Sequence, residues 1–186
     1  MALNLNTPIV AAACIALVCS IVFCLEISGY VREEDLGVRS GAMQSQPWRL
    51  ITFMFTHDGI EHLLTNLVGL ALVSILAFEL VEMHSLVFLA VFVGVGILTV
   101  LPVVFLSAYI FVGASAGVMG LFGYVLMGFR RPGPWVLFIL AMFISVLATE
   151  AWCAGSAVAA TAAFVHVFAL TVGAIAGRIQ KIKKDV

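Results

Sequence analysis

The sequence predicts an all-α polytopic membrane protein, a bundle of six transmembrane helices. Two observations carry this. Of the 186 residues, 63% are hydrophobic and only 10% are charged, whereas soluble domains carry about a quarter charged residues. The apolar residues also gather into runs of about 20, the length that crosses roughly 30 Å of hydrocarbon. This composition excludes an ordinary soluble enzyme, a disordered chain and a nucleic-acid binder.

The six segments fall near residues 8–27, 60–79, 84–106, 113–129, 134–152 and 157–178. They form one transmembrane domain over residues 1–186. Met1 to Pro8 contains no Lys or Arg, so the first segment is expected to be a retained span, not a cleaved leader. Cys14, Cys19 and Cys24 sit in it and Cys153 lies far away, which gives no metal-ligand spacing or disulfide framework. They are expected to be small buried hydrophobes. The connection over residues 28–59 is too long and too polar for a turn. Its stretch Pro47 to Phe53 suits the membrane interface, where Trp48 and Arg49 can face lipid while their polar ends stay wet.

Basic residues orient the bundle. With six spans both termini share a side, and that side carries Arg130, Arg131, Arg178, Lys181, Lys183 and Lys184. The other side carries Arg32, Arg39 and Arg49. The excess favours cytoplasmic termini in a plasma membrane, with residues 179–186 as a short basic tail and the first loop facing outward.

Four polar residues inside the spans call for an account, because such groups are costly in lipid. Ser115 lies in Gly113-Ala114-Ser115-Ala116-Gly117 at an outward helix start, where free backbone N–H groups suit a developing negative oxygen. His166 stands in an apolar run and is followed by Ala169, Gly173 and Gly177 at four-residue spacing. Two helices with small-residue faces can approach closely enough for a Ser–His dyad. No Asp or Glu offers itself firmly as a third member, since Glu150 lies close to its helix end. The plainer alternatives are a packing serine and a structural histidine. His62 and Asn66 share one helix face and have N–H donors for an oxyanion, or else tie the bundle together through interhelical bonds. His57 either lines the entrance or is solvated.

A metalloprotease would need His-Glu-x-x-His on a helix; Glu61-His62 has no histidine at the required position. A small proton-coupled carrier is a further reading, though no internal repeat or mid-depth acidic pair supports it.

Together these pieces resemble the rhomboid family of intramembrane serine proteases. The matching residues are Trp48-Arg49, Thr52, Phe55-Thr56-His57, His62 to Asn66, Gly113-Ala114-Ser115-Ala116 with Gly120, and His166 with Gly173 and Gly177. The resemblance implies a six-helix core with Ser115 as nucleophile and His166 as general base. It implies an oxyanion site from His62, Asn66 and the Ser115 N–H, and a first loop, with Trp48 and Arg49, that braces the bundle. It further implies membrane-protein substrates cut near the outer ends of their spans, in a lipid bilayer, with no cofactor and no metal. The sequence departs from the family pattern in three places. Ala116 follows the serine where Gly is common, Met119 stands where an aromatic often stacks on the base, and Ala169 replaces a frequent Gly. A catalytically inert relative that binds transmembrane helices is therefore the first alternative.

Overall fold

Long apolar runs fold as helices because in lipid each backbone N–H and C=O must find its partner inside the chain. The computed structural model describes residues 6–106, 109–128 and 157–185. Among them lie seven helices: α1 (Pro8–Ile27), α2 (Glu33–Leu36), α3 (Arg49–Thr52), α4 (Ile60–Val81), α5 (Ser85–Leu106), α6 (Ser115–Gly128) and α7 (Ala157–Asp185). Four are long and apolar enough to cross a membrane: α1, α4, α5 and the Ala160–Lys183 part of α7. Leu17, Val68, Ile75, Leu86, Phe105 and Phe164 are exposed on their outer faces. So many large apolar side chains left outside define a multi-pass membrane protein. The expected span over 134–152, with Glu150, Cys153 and the Arg130-Arg131 pair, lies outside the described residues.

Local chemistry sets the helix ends. The Thr7 hydroxyl caps α1, accepting from the Val10 N–H at 3.4 Å, and Pro8 takes the first helical position. Helix α4 closes at Glu82, a left-handed residue (φ 50°) whose N–H reaches the Ala77 carbonyl. Helix α7 continues past residue 178 to Asp185, so the basic segment expected as a tail is largely helical.

Helix α6 is the centre of the bundle. It is apolar all round, as a helix enclosed on all sides must be, and every residue from Ala116 to Val125 is buried. Helices α4, α5 and α7 pack around it, and α1 lies against α4 and α5. At 14 residues its described length is about 21 Å. The described part of the expected 113–129 span is thus an enclosed helix. Only Cys19 of the α1 cysteines is buried; Cys14 and Cys24 are exposed, and all three are free. The expectation of three buried thiols is corrected: Cys14 and Cys24 fall on the outer face of α1.

The first loop folds back onto the bundle. Val38 and Phe111 exchange backbone hydrogen bonds of 3.0 and 2.8 Å as a single antiparallel bridge, and no sheet forms among the described residues. The Gly113 N–H donates to the Phe53 carbonyl at 2.8 Å. Arg49 is 3% exposed. Its guanidinium donates to the carbonyls of Glu34 (2.5 Å) and Gly37 (2.6 Å), and also to Gln46. The head expected to stay wet is buried, because backbone carbonyls of the loop replace its water. Trp48 remains half exposed beside it.

Candidate active site

Small residues bring α6 and α7 together. A Cβ on Gly173 would fall on the Gly120 backbone, one on Gly123 on the Leu170 carbonyl, and one on Gly177 on the Tyr124 carbonyl. Gly120 meets Gly173 and Tyr124 meets Gly177, so the two helices run parallel at backbone contact. One end of this seam holds Ser115 and His166. The Nε2 of His166 lies 2.8 Å from the Oγ of Ser115. The other ring nitrogen, Nδ1, is buried and has no partner among the described residues. Among the described residues, Ser115 is therefore the one hydrogen-bond partner of the His166 ring.

Ser115 is the first residue of α6. The helical ladder begins with the Val118 N–H donating to the Ala114 carbonyl at 3.0 Å. This leaves the N–H groups of Ser115, Ala116 and Gly117 outside it. Just before them Gly113 makes the turn with φ 107°, a conformation that favours glycine. Space demands glycine too, because a Cβ there would lie 2.6 Å from the Nε2 and Cε1 of His62.

That close approach fixes His62 beside the serine turn. Its Nδ1 pairs with Asp58 Oδ1 at 2.6 Å, so Nε2 is the nitrogen toward Gly113. Asn66, one turn on, is 5% exposed and directs its amide nitrogen to the same turn. One amide N–H donates to the His62 carbonyl at 2.9 Å, leaving the second for another acceptor. Ser115, His166, His62, Gly113, Asp58 and Glu61 border a cleft of about 690 Å³.

The supporting residues divide. Ala116 is buried against Val165 and Phe111. Met119 packs with Val95 and Ala169 in a small apolar cluster, so the two departures at 119 and 169 fill one space together. His57 is 3% exposed and hence not solvated. It stands behind His62 with ring centroids 5.1 Å apart, edge to face. Burial, reinforced by His62, holds the His57 ring down to about 4. Neither ring nitrogen makes a well-formed hydrogen bond among the described residues, and the nearby Phe55 backbone offsets only part of the burial.

Sequence reasoning missed two contacts. Asp58 was visible only as a residue near a helix start, although its four-residue spacing to His62 is the signal for a pair on one helix face. Glu26 of α1 accepts from the Thr56 hydroxyl, and its other oxygen accepts from the His57 N–H at 3.5 Å. Thirty residues separate Glu26 from Thr56, and no local pattern announces that contact. No group of three or more His, Cys, Asp or Glu arranged to hold a metal occurs among the described residues.

The sequence matches the Rhomboid domain over residues 44–181. The match covers most of the chain and contains His62, Asn66, Ser115 and His166. The chain belongs to the rhomboid family. No match to a curated protein was found.

Proposed function

We propose that this rhomboid-family chain is an intramembrane serine endopeptidase that hydrolyses peptide bonds in or near transmembrane segments of other membrane proteins. The observation that carries the reading is the 2.8 Å bond between His166 Nε2 and Ser115 Oγ beside an open cleft. A serine is activated when a base stands within hydrogen-bond reach of its hydroxyl.

A substrate helix unwinds locally, since helical carbonyls are already bonded and shielded. Ser115 Oγ attacks the exposed carbonyl carbon while His166 Nε2 takes the hydroxyl proton. The oxyanion accepts bonds from the Ser115 N–H, from His62 and from the free amide N–H of Asn66. His166 returns the proton to the leaving amine as the C–N bond breaks. Water, with His166 again as base, hydrolyses the acyl-enzyme and restores Ser115. The chain's own groups supply each of these steps.

The reading keeps six spans, with 134–152 as the fifth on its apolar length in the sequence. On that topology the termini are cytoplasmic, residues 28–59 lie on the outer side and the cleft opens outward. The reading is tested by reconstituting the protein in liposomes with a single-span substrate beside Ser115→Ala. One Ser115-dependent cut near the outer end of the substrate span is expected. Substrate binding without product, across several varied substrates, would favour the inert relative. Asn66→Ala is expected to lower turnover about 10²–10³-fold with a smaller change in KM, the behaviour of an oxyanion donor.

A further inference from the structure

Asp58 precedes α4 and is placed to serve the helix end, where a carboxylate is favourable. It does not cap it: the N-cap is Gly59, with no side-chain cap bond. Its carboxylate goes instead to His62 Nδ1, at 2.6 Å, and His62 Nε2 faces Gly113 two residues before Ser115.

This pairing constrains what Nε2 can do. A carboxylate beside Nδ1 needs a proton on Nδ1. A neutral imidazole carries one proton, so its other nitrogen is then an acceptor. His62 can donate from Nε2 while paired to an ionised Asp58 only when both nitrogens are protonated. We propose that Asp58 is a positioning residue that makes His62 a charge-gated oxyanion donor, active as imidazolium and inactive as the neutral ring. This deepens the protease reading and rests on it for the identity of the oxyanion.

The other charged groups around the ring do not replace Asp58. His57 stands edge-on behind it, with no hydrogen bond between the two. Glu61 of α4 borders the cleft and is exposed. Glu33 of α2 is close enough to feel both Asp58 and His62, and burial together with the Asp58 charge pushes its carboxyl up. His166 of α7 lies across the cleft, engaged with Ser115. The turn and first residues of α6 facing the ring carry no charge. On the neutral ring the remaining proton stays on Nδ1, bonded to Asp58, and the Nε2 lone pair faces the oxyanion position. His166 must be unprotonated to accept the Ser115 proton while His62 must be protonated to donate, so turnover needs the two rings in opposite charge states.

The test compares kcat against pH for the wild type, Asp58→Asn and Asp58→Ala, with Ser115→Ala as blank. In Asp58→Asn the side-chain amide can turn its N–H to Nδ1, which frees the neutral ring to carry its proton on Nε2. The wild type is expected to lose turnover about tenfold per pH unit on the alkaline side. Asp58→Asn is expected to lose this limb and keep the acidic one. Identical alkaline limbs in the two proteins would overturn the proposal. Imidazole ¹⁵N shifts of His62 decide the same point without turnover. The proton of the neutral ring is expected on Nδ1 in the wild type and on Nε2 in Asp58→Asn. A neutral wild-type ring protonated on Nε2 would overturn the proposal. Absence of Ser115-dependent product at every pH would instead remove the protease reading and leave the ring shifts to judge Asp58.

Discussion

His166 Nε2 lies 2.8 Å from Ser115 Oγ, across 51 positions of sequence. The contact exists because glycines on α6 and α7 let two backbones touch, which side chains of ordinary size would prevent. If the two residues act as one unit, their losses do not add. His166→Ala is expected to be about as damaging as Ser115→Ala, with the double variant no worse than either. Turnover of the three proteins on one reconstituted substrate checks this.

The seam itself can be tested without touching Ser115 or His166. Gly173→Ala puts a methyl group on the Gly120 backbone, which cannot move aside as a flexible side chain would. Overpacking of this kind costs about 1–3 kcal/mol. Gly173→Ala is expected to lower both the unfolding temperature in detergent and the turnover. Gly94→Ala, where a Cβ meets nothing within 4 Å, is expected to change neither.

His57 gives a pH dependence of stability. Its ring is held near 4 in the fold against an ordinary value of 6.5. Between those values the unfolded chain binds the proton and the folded chain does not. Stability is therefore complete above pH 6.5, falls as pH drops toward 4, and loses no more below that. The loss is on the order of 3 kcal/mol at most. Thermal unfolding in detergent across this range should show a slope that shrinks in His57→Phe.

Glu26 and Thr56 tie α1 to the segment that leads into α4. Thr56 is fully buried, and Thr56→Val removes the hydroxyl that Glu26 accepts from. Glu26 is only half-buried, so its orphaned oxygen regains some water and the loss falls at the low end, about 1 kcal/mol. Thr56→Val is expected to destabilise by that amount, and Glu26→Gln to soften the loss because an amide still accepts through its oxygen. A double-mutant cycle on unfolding temperature checks that the two positions are coupled.

The described long helices, and the polar residues that gather around the Gly113 turn, were legible because lipid makes both conspicuous. Long apolar runs have few alternatives to helix, and Ser115, His166, His62 and Asn66 stand out where polar groups are rare. The parts that were not legible depend on distant contacts or on which side of a helix meets lipid. Arg49 was expected to wet its head, and its partners are carbonyls at positions 34 and 37, which hydropathy does not mark. Cys14 and Cys24 share a helix with buried Cys19 but face outward, and a uniformly apolar α1 carries no pattern to tell its two sides apart. Glu26 reads as a charge at the end of a span until its contact with Thr56 is seen. Asp58 could have been read from its spacing to His62, but its position near a helix start offered a simpler account.

The most direct measurement of the central claim is the site of covalent labelling by a fluorophosphonate, located by mass spectrometry of the protein in detergent. A serine activated by His166 is expected to carry a single adduct on Ser115, absent from Ser115→Ala and strongly reduced in His166→Ala. An adduct that persists unchanged in Ser115→Ala, or labelling of Ser115 that does not respond to the loss of His166, would contradict the account.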